Sequence, residues 1–155
     1  MKLLRYELPR GGDETDWEVE LGVVIGRGGK YIHEEDALGH VAGYCAINDL
    51  FERACQLEGT RQWVKGKSCE GFGPIGPWLV TPDEVPDPHD LPIWLSVNGH
   101  RHPPRFLEAG DIVGLEISGL GRQQQQVIAP SRRYRRDSRV DRLPPTCRKT
   151  AFAKA

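Results

Sequence analysis

The chain has 155 residues, 38% of them hydrophobic, a mean hydropathy of −0.52 and a formal net charge of −1. That length suits one domain with a core of its own. No run approaches the roughly 18 apolar residues of a membrane helix, and the apolar stretch in residues 1–7 is too short for a signal peptide, so the expected location is cytoplasmic. The small net charge hides an asymmetry: residues 131–155 hold nine Lys or Arg and two Asp, net +7, and the remainder is net −8.

In chain order, residues 17–25 alternate apolar and acidic before turning fully apolar, which predicts a β-strand. Arg27, Gly28 and Gly29 predict a turn, and Lys30, Tyr31 and Ile32 a short returning strand. Glu34, Glu35 and Asp36 suit the positive end of a helix dipole, so a helix is expected over 37–42, ended by Gly43. Residues 44–48 are β-compatible and Asp49 closes them; 51–57 predict a helical turn. Gly and Pro dominate 71–92 and leave room for short strands at 78–81 and 93–97. Asn98-Gly99 predicts a hairpin, and 111–117 should pair with 123–128 across Gly119 to Gly121. After Pro130 periodicity ends, which predicts a disordered basic tail over 131–155 behind a domain of residues 1–130.

The four cysteines at 45, 55, 69 and 147 have no zinc spacing and read as reduced, mostly buried thiols. The acidic residues are more informative. Residues two apart in a strand share a face, so Glu18 and Glu20 point the same way, about 7 Å apart at the backbone. Two carboxylates that close need solvent, protons or a cation. On spacing alone a solvated face accounts for them. Asp49 reads singly as a helix cap, Lys67 as a surface lysine, and 73–78 as a turn.

Taken together and in order, these segments resemble the fumarylacetoacetate hydrolase family. The matching elements are D-W-E-V-E-L-G-V-V-I-G (16–26), E-D-A-L-G-H-V-A-G-Y-C-A-I-N-D (35–49), G-K-S (66–68), G-P-I-G-P-W-L-V-T (73–81), V-N-G (97–99) and F-L-E-A-G-D-I-V-G-L-E-I-S-G-L-G (106–121). The resemblance implies a mainly β fold with short helices, a mixed β-roll or barrel that is incomplete here. It implies that Glu18, Glu20 and Asp49 bind a divalent metal, Mg²⁺ first, with Mn²⁺ or Ca²⁺ as alternatives. Lys67 would stand beside that metal as the catalytic cation, and Arg53 and Gln56 would contact substrate. The implied chemistry is cleavage of a C–C or C–N bond in a small 2-oxo, 1,3-diketo or ureidoglycolate-like acid, through a metal-stabilised enolate. Three carboxylates and a lysine also suit a hard metal by their own chemistry.

The departures bear equally on function. Family members carry an N-terminal segment, often with a His-Glu pair on a lid that supplies the general base; no histidine precedes His33 here, so that base is expected to be missing. Between Gly99 and Pro104 the family has a longer insert holding a T-G-T-P loop, which predicts an internal deletion. Phe51 stands where serine is usual, and Glu70-Gly71 replaces a frequent Asp-Thr. The alternative reading is a catalytically impaired member that keeps only the metal site. His100 and His102 read as an exposed junction. The arginines of the tail have Tyr134 as their only interleaved aromatic, a weak nucleic-acid signal. A small oxo-acid is the expected partner, with no membrane, and whether the chain forms the homodimer usual in the family is left open.

Overall fold

The computed structural model describes residues 3–7, 14–57, 61–101 and 105–129. In chain order the strands are β1 (Leu3–Glu7), β2 (Thr15–Asp16), β3 (Val19–Ile25), β4 (Val41–Asn48), β5 (Phe51–Glu52), β6 (Ile75–Val80), β7 (Ile93–Val97), β8 (His100–Arg101), β9 (Ile112–Ile117) and β10 (Gly121–Ile128). Two five-residue helices, α1 (Arg53–Leu57) and α2 (Trp63–Lys67), lie between β5 and β6. The result is mainly β with short helices, as expected. The tail over 131–155, with Cys147 and Tyr134, lies outside the described residues, as does His102.

The strands form a five-stranded sheet in the order β1-β10-β9-β7-β8, a three-stranded sheet β3-β4-β6, and the small pair β2-β5. None of these sheets closes into a barrel among the described residues. The β9–β10 pairing joins Ile117 to Gly121 and Leu115 to Gln123, and β7–β9 joins Leu95 to Leu115. The period of two then turns Leu95, Val97, Val113, Leu115, Ile117 and Val127 inward. Tyr44, Ala46, Leu50 and Val80 meet them in one core. Each such aliphatic, fully buried, contributes about 1.5–3 kcal/mol.

Three expectations are corrected. Residues 30–32 form no strand: Tyr31 is exposed and takes a left-handed conformation (φ 57°), which breaks an extended run, and β3 pairs with β4 instead. The helix over 37–42 is a 3-10 helix at Glu34–His40, and β4 begins at Val41. Gly43 therefore does not end a helix. It sits inside β4, where a Cβ would come within 2.5 Å of the Val80 carbonyl oxygen, so glycine is needed for β6 to approach. The turn over 51–57 opens as strand, with Phe51 and Glu52 paired to Asp16 and Thr15 before α1 starts.

Val24, Ile25, Ile75, Trp78 and Leu79 of the three-stranded sheet are exposed, and among the described residues β3 and β6 each pair on one side only. No helix among the described residues is long and apolar enough to cross a membrane.

Candidate metal centre

The β3–β4 ladder builds the acidic cluster. Val19 pairs with Asn48, and one step further the Asp49 amide donates to the Glu18 carbonyl at 2.8 Å. Asp49 is thereby held beside Glu18 and Glu20, which project from the start of β3. One carboxylate oxygen from each of the three lies within 4.8 Å of the other two. The glutamates are exposed and the aspartate is half-buried. Two oxygens on opposite sides of a hard cation are separated by about 4.2–5 Å, twice a metal–oxygen bond. The span therefore fits a single such ion, and the all-oxygen donor set suits Mg²⁺, Mn²⁺ or Ca²⁺.

Lys67 comes to the same place from α2. Its Nζ donates to Asp49 Oδ2, and to Glu18 Oε2 at 3.3 Å. Sequence periodicity does not find α2, because it is short and carries a glycine near its end. Packing explains it. A Cβ on Gly66 would stand 2.7 Å from the Glu52 carbonyl and 2.5 Å from Gln56 Cγ, so the absence of a side chain lets α2 lie on α1 and aims Lys67 at the carboxylates.

Arg53 and Gln56 share α1 but not the same surroundings. The Arg53 guanidinium pairs with Asp16 Oδ2 at 2.9 Å and lies over the Phe51 ring, 4.3 Å from its centre. Lys67 Nζ is 5.3 Å from the same ring. Phe51, at the position where serine is usual in the family, is thus a buried floor beneath both cations. Gln56 is only 2% exposed and lies behind α2 against Gly66. The structure therefore brings Glu18, Glu20, Asp49 and Lys67 together, sets Arg53 to one side with Asp16, and puts Gln56 beneath them. Asp16 and Phe51 are the members to which sequence reasoning gave no role at the site, Phe51 being noted only as a departure from serine. Their signal was present in D-W-E-V-E and in the serine-to-phenylalanine departure.

A buried acid braces this region. Glu52 is fully buried and accepts hydrogen bonds from the Thr15 hydroxyl (2.8 Å) and the Glu14 amide (3.2 Å). Burial pushes its carboxyl above the usual range, and hydrogen bonds from Thr15, Glu14 and Ala54 recover part of that. With the folded value raised, the folded state holds this proton longer than the unfolded chain. Stability from this group accordingly falls as pH rises from the ordinary carboxylate value through the folded one. In Glu52→Gln the new amide donates to the Thr15 oxygen and still accepts from Glu14, with no charge to bury. Its melting temperature at pH 7.5 should equal or exceed that of the unsubstituted chain; a loss of more than about 5 °C would show that the carboxylate itself is required.

The profile of the family described as Fumarylacetoacetate (FAA) hydrolase C-terminal matches residues 5–102. A Burkholderia ambifaria protein named a putative hydrolase is 59% identical over 164 residues, which cover 77% of this chain and 58% of the relative. A Burkholderia multivorans protein, also named a putative hydrolase, is 59% identical over 96 residues, 62% of this chain and 34% of the relative. Among solved structures, a fumarylacetoacetate hydrolase from Exiguobacterium antarcticum shares 30% identity at a TM-score of 0.71, over 76% of this chain and 57% of that one. A 2-hydroxyhepta-2,4-diene-1,7-dioate isomerase from Mycobacterium marinum shares 26% at 0.75, over 84% and 65%. The chain thus spans little more than half the length of the Burkholderia ambifaria relative. Because 77% of 155 residues is about 119, about 45 of the 164 aligned positions have no counterpart here. The family match also stops at residue 102, within the segment where the sequence predicts a deletion.

Proposed function

The chain belongs to the fumarylacetoacetate hydrolase family, and from that premise we propose that it is a divalent-metal-dependent enzyme acting on a small 2-oxo or 1,3-diketo acid. The observation that carries this reading is the convergence of Glu18, Glu20 and Asp49 oxygens within 4.8 Å, with Lys67 bridging two of them. Glu18, Glu20 and Asp49 would hold the ion, Mg²⁺ in the first instance. Bound there, a divalent cation supplies Lewis acidity toward adjacent substrate oxygens.

The chain's own groups have separate tasks in this reading. Lys67 places a fixed positive charge where negative charge develops as a C–C or C–N bond breaks, which lowers the barrier without reorganisation. Arg53 is held in plane by Asp16 and Phe51, so its remaining N–H groups are oriented for a substrate carboxylate. Gln56 supports the site from beneath α2, where its burial suits holding the helix as much as touching substrate.

The test pairs calorimetry with turnover. The purified chain should take up Mg²⁺ or Mn²⁺ and then decarboxylate oxaloacetate or cleave an acylpyruvate, with activity lost in a chelator and regained on adding the metal back. Metal uptake without turnover on any of these acids favours the second reading, an impaired member that keeps only the metal site. That reading is favoured by the unmatched aligned positions and the unclosed sheets. Absence of metal uptake rejects both.

A further inference from the structure

The inward face of β10 carries glutamines where its neighbours carry aliphatics. Gln123 and Gln125 share that face and lie beside Leu115 and Val113. Both are buried, and so is Asn48 on the facing sheet. The three amides form one chain. Gln123 Nε2 donates to the carbonyl oxygens of Ala46 (2.7 Å) and Gly76 (2.6 Å). Gln125 Nε2 donates to Gln123 Oε1 at 2.8 Å, and Asn48 Nδ2 donates to Gln125 Oε1 at 2.6 Å.

The far end fixes the direction of this relay. Two backbone carbonyls can only accept, so Gln123 must turn its NH₂ group to them. Its oxygen is then left for Gln125, whose oxygen is left for Asn48. Every amide orientation follows from Ala46 and Gly76. Asn48 Oδ1, at the other end, is a buried acceptor with no partner among the described residues. Polar groups in this position are more costly than the valine or leucine that would fill it, unless each hydrogen bond is made.

The relay ends next to the acidic cluster. Asn48 precedes Asp49; its amide donates to the Pro74 carbonyl (3.1 Å), and its carbonyl accepts from Leu50 (2.9 Å). The segment that carries Asp49 is therefore tied to β10, to the loop before β6, and to Glu18. We propose that Asn48, Gln125 and Gln123 are positioning residues of the metal centre, holding Asp49 where its carboxylate meets those of Glu18 and Glu20. This rests on the metal-binding reading above.

The experiment measures Mn²⁺ affinity and melting temperature for the full chain and three variants. Gln125→Met and Gln123→Met cut the relay at different links with little change of volume. Leu95→Ala opens the core two strands away, at a residue with no part in the relay. Both glutamine variants should bind Mn²⁺ about 3–10-fold more weakly, less than the 10–100-fold usual when a group bonded directly to a metal ligand is removed, because they reach Asp49 only through Asn48. Leu95→Ala should melt at least as early and bind Mn²⁺ as the unsubstituted chain does. Should Gln125→Met fail to fold, Gln123→Met carries the comparison. Unchanged affinity in a folded glutamine variant, or an equal loss in Leu95→Ala, overturns the relay alone. A wild-type chain that takes up no Mn²⁺ overturns the metal centre and the relay with it.

Discussion

Lys67→Met is expected to bind Mg²⁺ or Mn²⁺ more tightly than the unsubstituted chain while losing turnover. Its ammonium donates to both Asp49 and Glu18, so it occupies part of the electrostatic place of a cation. A metal entering the cluster meets that charge a few ångströms away. Two unit charges about 4 Å apart repel by about 1 kcal/mol in water and about 4 at the effective dielectric of a protein surface. The Lys67 side chain is 31% exposed, which favours the lower end. A gain of about 1–2 kcal/mol, roughly 5–30-fold in affinity, is the expected result by calorimetry. Turnover should fall about 10²–10³-fold, as when a donor to developing negative charge is removed. Asp49→Ala must move affinity the other way, because it removes a ligand oxygen and leaves the lysine in place. If both substitutions weaken metal binding alike, Lys67 is a structural brace and not a competing cation.

The largest effect on folding is expected from Asp111→Ala. Asp111 is 6% exposed and accepts from Arg105 (2.7 Å), Asn98 (2.8 Å) and the Glu108 amide (2.8 Å). Asn98 also takes the Ile112 amide on its own side-chain oxygen, so one aspartate closes the β7–β8 turn onto the start of β9. This is the segment flanking the predicted deletion, where the chain must rejoin without the residues its relatives carry. Removing the carboxylate deletes three hydrogen bonds, one of them to a charged group; because Arg105, Asn98 and Glu108 are themselves exposed, water takes up part of the loss, which leaves a cost of about 2–3 kcal/mol. For a chain of this size that lowers the melting temperature by about 5–12 °C.

The same group sets an acid limb. Burial pushes the Asp111 carboxyl up, but the hydrogen bonds from Arg105, Glu108 and Asn98, with the charge of Arg105, outweigh it and hold it below the usual range. A depressed folded value means that the unfolded chain takes up this proton first. The stabilisation is therefore complete above the ordinary aspartate value and is lost as pH falls through the lower, folded one. Asp111→Asn should flatten that limb of an acid-unfolding curve; an unchanged limb assigns it to other carboxylates. Glu52 acts in the opposite sense and at higher pH, from the ordinary glutamate value upward.

Much of this molecule is legible in its local sequence. The alternation over 17–25 placed Glu18 and Glu20 together, Asn98-Gly99 placed a hairpin, and the 111–117 and 123–128 runs found each other across a glycine turn. These are features of neighbouring residues, where side-chain period and turn conformation act directly. The resemblance to a family added Asp49 and Lys67, which lie far from the glutamates in sequence and have ordinary readings alone.

What the sequence did not disclose depends on partners distant along the chain. β1 is a strand because β10, about 120 residues later, offers it a parallel edge. Residues 30–32 are not a strand because Tyr31 turns left-handed and β3 takes β4, from Val41 onward, as its partner. α2 exists because Gly66 lets it lie on α1, against its weak intrinsic propensity. The inward glutamines of β10 read as a polar strand until Asn48 and two carbonyls from the other sheet satisfy them. The sequence by itself determined which side chains share a strand face and which chemistry they suit. Only the tertiary structure decided that Lys67 bridges Glu18 and Asp49, that Arg53 pairs with Asp16, and that Gln56 is buried. Those outcomes rest on long-range packing and hydrogen-bond satisfaction, which no local window of residues contains.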